Sequence, residues 1–186
     1  MLDVIHAGEG YIKTADYAGG TLGDMVNDNQ LSELVALVAR WALGAKYRIV
    51  TAESCTGGWI AKAFTDVAGS SRWFECGYVT YSNAAKVRDL GVASRTLDVH
   101  GAVSERTVRE MAAGALRVSG ADVAIAVSGI AGPDGGTAEK PVGTVWFCVA
   151  GPRDQLIAEG EVFAGNRETV RRASVRRALE LVLRLI

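Results

Sequence analysis

The chain has 186 residues, 49% of them hydrophobic, and a formal net charge of −1. That is enough apolar material for one packed core, and the near-neutral balance gives no electrostatic footprint for direct nucleic-acid binding. No apolar run is long enough to span a bilayer, and Met1–His6 lacks the basic-then-apolar pattern of a secretory signal, so a cytoplasmic protein without a membrane partner is expected.

Residues 1–30 read as a poorly structured N-terminal arm, because Gly8, Gly10, Gly19, Gly20 and Gly23 interrupt them and no period is sustained. From Leu31 the spacing turns helical, with Leu34, Val35, Val38, Trp41 and Ala42 on one face. A strand is expected over 47–52, then a helix over 57–67 and a second strand from Phe74 to Tyr81. Asn83 reads as the cap of a short helix that carries Lys86 and ends near Gly91. Ser104 reads as the N-cap of a longer helix ending near Gly120. Val123–Val127 is a near-continuous apolar run, as a central buried strand requires, and the Gly-rich loop Ser128–Gly136 follows it. Val142–Ala150 and Leu156–Phe163 flank the turn residues Gly151-Pro152-Arg153-Asp154 and predict a hairpin. A last helix runs from near Asn166 almost to Ile186. The order predicts one α/β domain over residues 31–186, a three-layer fold with a mixed β-sheet covered by helices.

Three polar segments fall at predicted strand ends: Glu53–Gly58, Thr80–Lys86 and Ser128–Gly136. Ligands of open α/β sheets bind there, so Glu53, Ser54, Thr56, Gly57, Tyr81, Lys86, Ser128, Gly129 and Gly132 are candidate site residues. Ser54 lies at a strand-to-helix turn. It reads as a nucleophile beside helix N–H groups that could hold an oxyanion or anion, or equally as a helix cap. His100 reads as a surface residue in a turn beside Gly101, which leaves a lysine as the base. A lysine serves only where burial or a nearby cation lowers its pKa. On spacing alone both Lys86 and Lys62 read as solvated helix-surface residues, although Lys86 and Tyr81 can face one crevice, with Tyr81 relaying a proton or orienting the amine. Cys55 is the rival nucleophile but has no histidine partner and reads as packing. Cys55, Cys76 and Cys148, odd in number and widely spaced, read as free thiols in a reducing compartment. With His6 and His100 the only histidines, no metal site is expected. The Gly132–Gly136 loop is only loosely like a phosphate cradle and reads equally as a plain turn. Arg167 sits at a predicted helix start, where a cation opposes the helix dipole, which hints at a ligand role.

The stretches Thr51-Ala52-Glu53-Ser54-Cys55-Thr56-Gly57-Gly58, Gly69-Ser70-Ser71-Arg72-Trp73-Phe74, Val79-Thr80-Tyr81-Ser82-Asn83 with Lys86, Gly101-Ala102-Val103-Ser104, and Ser128–Gly136 with Lys140-Pro141-Val142-Gly143-Thr144-Val145 occur in this order. Together they resemble the CinA carboxyl-terminal domain family, also known as nicotinamide mononucleotide deamidase, over residues 31–186. The resemblance implies hydrolysis of the carboxamide of nicotinamide mononucleotide, a small-molecule mononucleotide substrate, to nicotinic acid mononucleotide and ammonia in pyridine nucleotide recycling, without metal or cofactor. By motif position it implies Ser54 as nucleophile, Tyr81 and Lys86 as its activating partners, and Ser128 and Arg167 as ligand-site residues. The family's competence and DNA-damage naming supplies the alternative, a non-catalytic nucleotide-binding or protein-interaction module; the presence of Ser54, Tyr81 and Lys86 together favours the enzyme. The apolar carboxyl-terminal helix and exposed faces of a small α/β domain lead to the expectation of a homo-oligomer.

Overall fold

The computed structural model describes residues 27–185, so the arm expected over residues 1–30 lies outside them up to residue 26. Its last residues already belong to the first helix, α1 (Asp28–Ala45). Asn27 accepts from the Gln30 N–H while the Gln30 side chain accepts from the Asn27 N–H, a reciprocal cap that starts the helix ahead of Leu31.

Five strands form one sheet in the order β2-β1-β3-β4-β5: β1 (Ile49–Glu53), β2 (Phe74–Val79), β3 (Val123–Gly129), β4 (Thr144–Ala150) and β5 (Leu156–Val162). β1 runs parallel to both β2 and β3, and β4 and β5 add as the antiparallel hairpin the sequence predicts. The register matters most for the site. Glu53 stands opposite Val79 on one side and Val127 on the other. β1 and β2 therefore end level while β3 runs on by two residues, and Ser54 and Thr80, which follow their strands, come out beside Ser128 near the end of β3.

The crossover from β1 to β2 carries α2 (Trp59–Thr65) and a 3-10 turn at Ser70–Arg72; the crossover from β2 to β3 carries α3 (Asn83–Leu90), α4 (Ser94–His100) and α5 (Glu105–Ser119). Val123, Ile125 and Val127 pack into a core with α1, α2 and α6 (Arg167–Leu183). Ala124 and Ala126, alternate residues of the same strand, face a second core with α5 and the loop after α3. The result is the expected three-layer α/β arrangement. Gly114 lets α5 close on the end of α3: a Cβ there would lie 1.9 Å from the Leu90 carbonyl oxygen. That carbonyl also accepts from Arg117 at 2.9 Å. α3, which carries Lys86, is thereby fixed against the sheet.

Local differences from the sequence expectations have local causes. The Tyr47 N–H bonds back to the Ala42 carbonyl and belongs to the end of α1, so β1 begins only at Ile49. Gly57 and Gly58 both have positive φ (64° and 90°), so α2 cannot begin before Trp59. The cap of α3 is Ser82, whose hydroxyl accepts from the Ala85 N–H, and not Asn83. α4 was not anticipated, since only Thr96 and Leu97 of its seven residues are buried and no apolar period announces it; His100 is its exposed last residue and not a turn residue. Among the described residues no helix is long and apolar enough to cross a membrane.

Candidate active site

The site grows from the end of β1. All five residues of β1 are buried, including the charged Glu53. Its carboxylate accepts from the backbone N–H groups of Gly58, Ile60 and Ala61 at 3.0, 3.1 and 2.9 Å. α2 has glycine at its N-cap position and no capping side chain, so Glu53 supplies the acceptor that sequence-adjacent caps usually provide. Two expectations change here. Glu53 is spent inside the fold rather than offered to a substrate, and the N-terminal N–H groups of α2 are not free for an anion. Glu53→Gln places an amide NH₂ among three N–H donors. It should cost about 2 kcal/mol or more of folding stability, read by chemical denaturation; an unchanged midpoint and slope would mean the carboxylate is not the cap.

Ser54 follows directly, 8% exposed, its N–H bonded to the Val127 carbonyl at 3.0 Å. Lys86 Nζ lies 2.9 Å from Ser54 Oγ. It also donates to the carbonyls of Thr80 at 2.7 Å and Tyr81 at 3.4 Å. The geometry follows from helix stereochemistry: Lys86 stands in the first turns of α3, and a long side chain there runs back toward the helix N-terminus, here onto the end of β2. Lys86 is 1% exposed, and among the described residues no carboxylate pairs with it. Burial pulls its pKa from 10.5 down to about 8. The reading of Lys86 as a solvated surface lysine is therefore corrected; Lys62, by contrast, is exposed and paired with Asp66. Burial pushes the neighbouring Cys55 thiol up to about 12, so it stays protonated and is a poor nucleophile.

Beside this pair opens a cleft of about 280 Å³, lined by Ser54, Lys86, Tyr81, Ser128, Gly129, Gly132 and Arg167 among others. Ser128 is buried and its hydroxyl donates to the Ala102 carbonyl at 2.8 Å. Arg167, the first residue of α6, donates to the Gly132 carbonyl at 2.8 Å and to the Tyr81 hydroxyl at 2.9 Å. The expected hydroxyl relay from Tyr81 to Lys86 is thus not formed. The phenol, on a residue 58% exposed, meets Arg167, and only the Tyr81 carbonyl reaches the amine.

Thr56 and Gly57 do not line the cleft. Thr56 is fully buried, and Gly57 opens on the other side of the turn with Trp59, Lys62 and Arg171. Ala102, Val103 and Asp134 line the cleft without having been singled out as site residues; the clues were the Gly101–Ser104 stretch, which reads as a mere helix entry, and the acidic residue inside the Gly-rich loop. Chemically, the cleft offers a hydroxyl held by a buried amine that has no carboxylate partner among the described residues, and a guanidinium at its mouth. Among the described residues, the N–H groups of Cys55 and Thr56, which follow Ser54 in the turn, bond to no protein oxygen.

The family model for the CinA C-terminal domain matches residues 31–186. The nicotinamide-nucleotide amidohydrolase PncC of Escherichia coli (strain K12) is 58% identical over 153 residues, which span 81% of this chain and 90% of the relative. The protein of the same name from Enterobacter agglomerans is 54% identical over 160 residues, 86% of this chain and 97% of the relative. The crystal structure of the competence/damage inducible protein CihA from Agrobacterium tumefaciens superimposes with a TM-score of 0.83 at 42% identity, covering 88% of this chain and 98% of that one.

Proposed function

The chain belongs to the CinA C-terminal domain family, and from that premise we propose that it is a nicotinamide-nucleotide amidohydrolase. It converts nicotinamide mononucleotide and water to nicotinic acid mononucleotide and ammonia. The 2.9 Å contact between Lys86 Nζ and Ser54 Oγ carries this reading, because it supplies a base to a serine that has no histidine. As a neutral amine, Lys86 directs its two N–H bonds at the Thr80 and Tyr81 carbonyls, which leaves its lone pair for the Ser54 hydroxyl. Ser54 Oγ attacks the carboxamide carbon as Lys86 takes its proton. The C–N bond then breaks, and Lys86 returns the proton to the departing nitrogen, which leaves as ammonia. Water attacks the resulting ester with Lys86 again as base, which frees the carboxylate and restores the hydroxyl. The N–H of Cys55, which lines the cleft, holds the tetrahedral oxyanion. The direct test is release of ammonia and nicotinic acid mononucleotide in equal amounts from nicotinamide mononucleotide by the purified protein; no release rejects the reading.

The pH dependence has a definite sign. Only the free amine can accept the proton, and its pKa lies at about 8. kcat/KM should therefore rise about tenfold per pH unit below that value and level off above it. A profile flat from pH 6 to 9 would count against Lys86 as base.

Arg167 is the proposed phosphate ligand. Its bonds to Gly132 and Tyr81 use one N–H on each terminal nitrogen, leaving three of the five guanidinium donors free. Tyr81 assists by holding that guanidinium over the cleft. Arg167→Ala should lower the preference for the mononucleotide over the riboside by about tenfold or more, read as the ratio of the two kcat/KM values. An unchanged ratio moves the phosphate elsewhere.

A further inference from the structure

Arg171 approaches the nucleophile turn from the side opposite the cleft. Its Nε donates to the Cys55 carbonyl at 3.0 Å and its Nη2 to the Thr56 carbonyl at 2.7 Å. The guanidinium lies over the Trp59 ring, 5.3 Å from the centroid. Its helix neighbours Arg172 and Arg177 pair with carboxylates, whereas among the described residues Arg171 pairs with none. Its charge is committed to two peptide oxygens.

The C=O and N–H of one trans peptide unit point in opposite directions. With the Cys55 carbonyl turned toward Arg171, the Thr56 N–H of that unit is turned away from it and has no protein acceptor among the described residues. With the Thr56 carbonyl held likewise, the Gly57 N–H is turned away and donates to the Ser54 carbonyl at 3.0 Å. That carbonyl belongs in turn to the unit ending at the Cys55 N–H, which bonds to no protein oxygen among the described residues. Two short chains of peptide dipoles thus begin at one guanidinium, one ending at the N–H of the fully buried Thr56 and the other at the N–H of Cys55, which lines the cleft beside Ser54. A charge-assisted bond at the oxygen end orients each unit and strengthens the donor at its far end. Gly57, with φ of 64°, supplies the left-handed residue that folds both chains into one turn.

We infer that Arg171 is a positioning residue for hydrolysis, fixing and polarising the Cys55 N–H as an oxyanion donor from behind the turn. The inference rests on the proposed role of Ser54 as the nucleophile toward the carboxamide. It asks for no contact between Arg171 and substrate, so binding and chemistry should separate.

Arg171→Met and Arg171→Lys test it with nicotinamide mononucleotide. In Arg171→Met kcat should fall by roughly 10- to 100-fold, less than deletion of an oxyanion donor outright, with KM within about twofold. Arg171→Lys, whose ammonium holds only one carbonyl well, should fall between. A second readout uses the mononucleotide bearing an aldehyde in place of the carboxamide. Ser54 Oγ adds to its carbonyl carbon, the hydroxyl proton passes to Lys86, and the carbonyl oxygen becomes the oxyanion. Affinity for this compound should weaken by the same factor as kcat, while affinity for nicotinic acid mononucleotide stays the same. Turnover within threefold of the unaltered protein in Arg171→Met, or equal weakening of aldehyde and acid, overturns the inference. Should Arg171→Met not fold, full turnover by a natively melting Arg171→Lys overturns it. If the unaltered protein neither releases ammonia nor binds the aldehyde covalently, the substrate reading and this inference fall together; if it does both and the variants match it, only the role of Arg171 falls.

Discussion

Ser54→Ala is expected to lower kcat by roughly 10³-fold or more while the protein folds and binds mononucleotide as before. The proposed attacking oxygen is the only heavy atom removed. Ser54 does not cap α2, because Glu53 occupies the Gly58, Ile60 and Ala61 N–H groups; loss of activity therefore cannot be put down to a frayed helix. Lys86 keeps its bonds to the Thr80 and Tyr81 carbonyls. The measurements are kcat, product affinity by calorimetry and a thermal melt. Turnover near the native rate would remove Ser54 from the chemistry. Cys55→Ala is the matching control: its thiol titrates at about 12, so its loss should leave turnover largely intact.

Lys86→Met removes the amine at similar length. It should lower kcat by roughly 10²- to 10⁴-fold, with a much smaller effect on KM, because Nζ faces the Ser54 hydroxyl and two backbone carbonyls. The rise of kcat/KM toward pH 8 should disappear with it. Residual turnover that keeps the native pH dependence would assign the titrating group to another residue.

The parallel core and its adjacent strand ends account for what the sequence made legible. The Val123–Val127 run reads as a central strand because both of its faces are buried, and Ser54 and Ser128 read as site residues because each follows a strand expected from the sequence, although β3 runs on through Ser128 to Gly129. Lys86 was not legible as buried. α3 is short, with Ala85 and Leu90 its other buried residues, and nothing in its pattern reveals that the end of β2 and the clamp of Gly114 on Leu90 will enclose it. Glu53 was misplaced for a related reason. A carboxylate in a polar cluster looks available to ligand, and only the three-dimensional path of Gly57-Gly58 shows the helix end turning back onto it. Arg171 could not be separated from the other arginines of the last helix, since the direction of its side chain depends on how α6 packs against the turn after β1. Arg167 stood out because its position at a helix start is electrostatically awkward, and that awkwardness is answered by the Gly132 carbonyl and the Tyr81 hydroxyl.

A buried amine without a counter-ion is also a thermodynamic load. The fall of the Lys86 pKa from 10.5 to about 8 makes its ammonium form ~3 kcal/mol less favourable in the folded chain than in the unfolded one. Below pH 8 both states carry the proton and the whole penalty is present. As pH climbs from 8 toward 10.5 the folded protein releases its proton first, and the penalty fades. The residue proposed to activate Ser54 thus opposes folding most strongly at and below neutrality, as a trade of stability for activity would require. Between pH 8 and 10.5 the unfolding free energy of the native protein should therefore gain a rising component that Lys86→Met lacks.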